Sequence, residues 1–318
     1  MSIKYHTKKN TNQINPVYGL FLAIAAVSTA SIFIRFAQTA YPSLIIAAFR
    51  LGFSSIILFP FFITGKWRDI QKLNQKEILL LIFSGIFLAA HFASWIKSLE
   101  LTNVLSSVVL VTTTPIWVSL FSYYFLKERL GRTFYTGLII SLIGVIIISA
   151  GSKCLFQDLS IDCDLPGFEI LFGEAFSGNI LALLGAICAA GYFLCGKELR
   201  PKMTNITYVF FVYSIASILL FIIVLFSGAS NLELLRAEII WLLLLALIPQ
   251  LIGHSLVNWA LGLLPASYVS LSLLGEPVGS AILAFLILGE TPAVLQIVGS
   301  ILIVFGIFSA TYSRKKMS

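Results

Sequence analysis

The 318-residue chain is 58% hydrophobic and only 11% charged, with a mean hydropathy of +0.98. A soluble domain carries roughly a quarter charged residues, so this composition cannot clothe a water-facing surface and calls for a lipid-facing one. The net charge of +7 does not signal a nucleic-acid partner, because the basic residues sit in short gaps between apolar runs.

Met1 to Pro16 is basic and polar, and the apolar run from Val17 to about Ile34 follows it. That run exceeds the roughly 7–15-residue core of a secretory signal, so it is expected to stay as a first helix. About 20 apolar residues cross the hydrocarbon core as a helix. Ten segments qualify, at 17–36, 42–64, 78–98, 104–125, 133–151, 178–196, 206–227, 239–260, 267–288 and 292–312. Their unbroken Leu, Ile, Phe, Val and Ala runs exclude barrel strands, which alternate apolar with polar residues. The fold class expected is an all-α integral membrane protein of ten transmembrane helices.

Lys and Arg are enriched in cytoplasmic loops. With the amino terminus inside, that side holds Lys4, Lys8, Lys9, Lys66, Arg68, Lys72, Lys76, Lys127, Arg129 and Arg132. It also holds Lys197, Arg200, Lys202, Arg314, Lys315 and Lys316, against Arg35, Lys97, Lys153 and Arg236 outside. Both termini are therefore expected in the cytoplasm of a cell inner (plasma) membrane, with the long loop 152–176 outside. Cys154 and Cys163 share that loop and can pair if it faces an oxidising compartment, which the sequence leaves open. Cys188 and Cys195 lie in an apolar run, and no CxxC spacing suggests a metal.

Shifting the first half by 162 residues lays it on the second. Pro115 meets Pro277, Glu128 meets Glu290, Gly137 meets Gly299 and Gly144 meets Gly306. The same shift sets Phe49 on Phe211, Ser55 on Ser217, Leu99 on Leu261 and Arg35 on Lys197. Two five-helix repeats are read at 17–151 and 177–312, joined by loop 152–176 and flanked by tails 1–16 and 313–318. An odd helix number makes the halves enter from opposite faces, as an inverted repeat of the kind that supports alternating access.

Two stretches carry a family likeness. Pro115 to Gly144 reads PIWVSLFSYYFLKERLGRTFYTGLIISLIG, and Glu276 to Gly306 reads EPVGSAILAFLILGETPAVLQIVGSILIVFG. Each has a mid-helix proline, a Leu-x-Glu before a short turn, and a glycine-spaced last helix. The chain thus resembles the drug/metabolite transporter superfamily, specifically EamA-type ten-helix members with two EamA repeats. The resemblance runs from about residue 17 to 312. It implies a transporter rather than an enzyme, with a central cavity lined by helices 1–4 and 6–9 and with helices 5 and 10 peripheral. Members include exporters of amino acids and other metabolites, and also importers and nucleotide-sugar carriers. One departure stands out: Thr114 precedes Pro115 where Glu276 precedes Pro277.

A titratable group deep in a membrane is a functional candidate by default. Glu276 is the one acid placed mid-helix, read either as a proton-coupling or cation-binding group or as a structural acid. Arg50, well inside helix 2, either binds a substrate carboxylate, pairs with Glu276 or snorkels outward. His91, Ser94, Trp95 and Ser98 share one face of helix 3. Gln250, His254 and Asn258, beside Trp259, form a second stripe on helix 8. Tyr268, Ser272 and Glu276 form a third row. Each stripe either lines a wet cavity or bonds to a neighbouring helix. Thr112, Thr113 and Thr114 are read either as partners for carbonyls freed by Pro115 or as hydroxyls offered to a substrate, Glu128 and Glu290 as caps or interfacial pairs, and the paired glycines as packing.

No phosphate-cradling loop, HExxH or GxSxG occurs, so no cofactor or ATP site is expected. The expected partners are a small-molecule substrate and the lipid bilayer, and the sequence is compatible with a homodimer. An uncoupled facilitator stays open, whereas a membrane enzyme lacks the clustered acids or histidines it would need.

Overall fold

The computed structural model describes residues 15–64, 66–102, 104–151, 154–157, 160–163, 174–227, 237–289 and 292–317. Tail 1–14, most of loop 152–176 and Glu290 lie outside the described residues. Eight helices are long and apolar enough to cross a membrane. They are α1 (Pro16–Ala37), α2 (Ser43–Ile63), α3 (Gln75–Leu101) and α4 (Ser107–Leu126), with α6 (Phe176–Leu199), α7 (Asn205–Phe226), α8 (Ile239–Leu261) and α9 (Ala266–Ile287). α5 (Arg132–Gly151) and α10 (Val294–Met317) contain the shorter apolar stretches Arg132–Ile148 and Val294–Ala310.

Helix starts follow local chemistry. Asn15 Oδ1 accepts from Val17 N at 3.0 Å ahead of Pro16, and Asn74 and Glu77 form a reciprocal capping box at the start of α3. Large apolar side chains face outward: Phe226 is 88% exposed and Phe125 75%. Patches of that extent on a charge-poor chain require lipid.

The long loop holds one element the sequence reading did not anticipate. Strands β1 (Cys154–Gln157) and β2 (Ser160–Cys163) pair antiparallel, with the backbone of Cys154 opposite that of Cys163. Every other regular element among the described residues is a helix.

Contacts between helices respect the 162-residue offset. α5 packs along α10 antiparallel, and α2 packs along α7. α3 lies on α6, as α1 lies on the middle of α8. A Cβ at Gly137 would sit 2.5 Å from the Gly306 carbonyl oxygen, and one at Gly144 would sit 2.6 Å from that of Gly299. Only glycine allows backbones this close. Ser141 Oγ donates to the carbonyl of Ile303, its own counterpart under the offset, at 3.4 Å. α4 and α9 also end alike, in π turns at Ser122–Leu126 and Ala284–Leu288. The next residues, Lys127 and Gly289, take left-handed φ of 58° and 69°.

Candidate functional site

A cavity of about 100 Å³ opens where helices from both halves converge, and Arg50, His91, Trp95, His254 and Glu276 all line it. Arg50 is 1% exposed. Its Nε donates to Gln250 Oε1 at 2.7 Å, and its guanidinium carbon lies 4.4 Å from the centre of the Phe92 ring. Ser54 Oγ donates to the carbonyls of Arg50 (2.7 Å) and Ala246 (3.1 Å), tying α2 to α8 one turn away. A buried charge needs such partners, because an isolated one is very costly.

Glu276 reaches the cavity through a backbone irregularity. Leu273–Gly275 forms a 3-10 turn. With three residues per turn, positions 270, 273 and 276 eclipse, so Glu276 shares a face with Ser270 and Leu273, which also line the cavity. The Glu276 carbonyl accepts from Ser28 Oγ of α1 at 3.1 Å. Glu276 is near enough to Arg50 for each to feel the other's charge, yet no direct ion pair joins them among the described residues.

His91 Nδ1 bonds the Gly185 carbonyl at 2.9 Å, and its ring stacks on Trp95 with centroids 5.9 Å apart. His254 meets Phe92 edge-on at 5.6 Å. Pro249 sits in a π segment, Ala246–His254, where Ser255 N bonds back five residues to Gln250 O. That wider turn sets Gln250 against Arg50 while His254 reaches the cavity wall.

The other sequence candidates point elsewhere. Asn258 Nδ2 donates to the Tyr192 hydroxyl and to the His254 carbonyl, holding α8 to α6. Trp259 packs on Gly19 of α1, where a Cβ would collide with its ring. Tyr268 packs edge-on against Phe134 of α5 at 5.1 Å, and Ser272 Oγ donates to the Tyr268 carbonyl at 2.9 Å. These four do not line the cavity. The 3-10 turn separates the face of Tyr268 and Ser272 from that of Glu276.

Thr114 Oγ1 donates at 2.7 Å to the Val111 carbonyl, the one Pro115 leaves without its helical donor. Thr112 and Thr113 likewise bond carbonyls within their own helix. Glu128 caps α9, accepting from Ala266 N at 3.1 Å and Ser267 Oγ at 2.9 Å. Sequence reasoning missed Phe92, Ala189 and Phe193 as cavity residues, since an apolar residue in an apolar helix carries no signal.

Two similar halves around a cavity with one buried cation and one acid point to a class, the polytopic membrane transporters. The model of the EamA-like transporter family matches residues 16–150 and 176–312, and the chain belongs to that family. It is similar to the uncharacterized transporter YdfC of Bacillus subtilis (strain 168), at 26% identity over 98% of this chain and 95% of that one. It is also similar to the pseudopaline exporter CntI of Pseudomonas aeruginosa, at 23% identity over 93% and 97%. A solved crystal structure shares the fold at a TM-score of 0.75 with 16% identity, covering 95% of this chain and 98% of that one.

Proposed function

We propose that the chain is a secondary carrier that exports small metabolites such as amino acids by alternating access. Two five-helix halves of opposite orientation would rock about the Arg50–Glu276 cavity, with both termini in the cytoplasm and Glu276 as the proton-coupling group. The observation that carries this reading is one cavity, between the halves, that holds a buried guanidinium and a carboxylate with no direct ion pair between them. Charges are kept in lipid-embedded helices where they bind or move something. The antiparallel α5–α10 crossing about Ser141 and Ile303 supports opposed halves, and the likeness to the pseudopaline exporter CntI supports export.

The sequence carries no nucleotide-binding loop, so uphill transport would draw on an ion gradient. A proton crossing 100 mV supplies about 2.3 kcal/mol, enough for roughly a 50-fold gradient of a neutral solute. In proteoliposomes, Glu276→Gln is expected to abolish gradient-driven accumulation while sparing exchange. Wild-type accumulation by that variant would remove Glu276 from coupling. Flux indifferent to the proton gradient in the wild type would instead favour an uncoupled facilitator.

A further inference from the structure

The polar inventory of the cavity is lopsided. Arg50 Nη1, Trp95 Nε1 and His254 Nδ1 are buried nitrogens without a hydrogen-bond partner, and all three residues line the cavity. Buried donors left unpaired are uncommon in native structures and call for an explanation. Arg50 can only donate, and its Nε is already engaged by Gln250 Oε1 at 2.7 Å. That bond fixes which end of the Gln250 amide faces the guanidinium. With Phe92 beneath the guanidinium, the fork is held in place before anything binds.

The group this fork suits is set by charge and size. A carboxylate brings one negative charge and two oxygens to one guanidinium. A phosphate dianion would set two charges against one in a site that already holds Glu276, and desolvating it there is costly. A cavity of about 100 Å³ is smaller than the ~150 Å³ apolar cavity that accepts benzene, so the solute is a few heavy atoms across.

We propose that Arg50, with the Trp95 indole and His254 in the tautomer protonated at Nδ1, is a preorganised receptor for the carboxylate of a small solute. Gln250 is its positioning residue. This rests on the carrier reading above and narrows it to what the cavity selects.

The test is thermal unfolding of the purified full-length protein with millimolar propionate or L-alanine, each compared with its amide. The acids are expected to raise the midpoint and the amides to leave it unchanged, a comparison that needs no variant. Arg50→Gln is expected to lose the preference for acid over amide. Arg50→Lys keeps the charge without the fork and weakens acid binding about tenfold. Gln250→Leu lowers the acid-to-amide affinity ratio about tenfold, a ratio that a merely structural role would not move. Equal protection by amides, an undiminished preference in Arg50→Gln, or no protection by either acid overturns the receptor. If no acid binds while proteoliposomes still carry neutral or cationic solutes, the receptor falls and the carrier stands. If no solute crosses at all, the carrier itself falls.

Discussion

Lys127 shows how far the repeat extends into backbone detail. It takes the left-handed conformation that its counterpart, Gly289, takes without a steric penalty. A side chain in that region costs about 1–2 kcal/mol. Lys127→Gly is therefore expected to raise stability by about 1 kcal/mol, and Gly289→Ala to lower it by a similar amount. Nothing lies within 4 Å of a Cβ at Gly289, so the second change tests backbone strain alone. Denaturation in detergent measures both, and equal stability of all three proteins would refute the strain. At the same scale, Arg50 and Glu276 were legible because a charge in an apolar run stands out. Their partners were not, since Phe92 and Gln250 meet Arg50 only after α3 and α8 pack on α2.

Among elements, α7 begins on its own Thr204 cap, which a carboxylate of the other half braces. Asp69, in the α2–α3 connection, accepts from Thr204 N at 3.0 Å and Thr207 Oγ1 at 3.3 Å. Partial burial pushes its carboxyl up, but these bonds and nearby Lys72 outweigh it and hold the group below its ordinary value. The sign follows: a depressed folded value contributes stability above the unfolded value of about 4, and that contribution is lost as pH falls through the folded value. Asp69→Asn should flatten the stability profile below about pH 4 and leave its slope near neutrality unchanged. An unaltered acid limb would rule out this brace as a contributor. The α5–α10 contact has less tolerance, because Gly144 and Gly306 each face backbone. Gly144→Leu is expected to destabilise by several kcal/mol, as overpacked contacts do, and to lower the yield of folded protein. Recovery of wild-type yield would show that the crossing can open. The glycine spacing announced this contact in the sequence, but the π segment around Pro249 and the 3-10 turn before Glu276 did not announce themselves. The stripes drawn with an α period therefore included Asn258 and Tyr268, which face neighbouring helices, and Ser272, which bonds back to its own helix.

For the molecule as a whole, the offset of 162 residues orders contacts as well as sequence. Glu77 of the first half pairs with Lys202 of the second at 3.1 Å, so the connection before α3 and the one after α6 meet at the same end. Single cysteines at Lys72 and Lys202 are expected to react with an impermeant thiol reagent from one face of the membrane. One at Leu155 in the hairpin should react from the other. Labelling of Lys72 and Lys202 from opposite faces would break the topology on which alternating access rests. The sequence alone was enough for the apolar spans, the repeat, the basic bias and the two deep charges. Each of these is a matter of composition or spacing along one chain, and burial in lipid leaves little freedom about them. Which side chains share the cavity was decided only by tertiary structure. A cavity is the volume that packed helices leave between them, and a turn wound tighter or wider than α redirects every side chain beyond it.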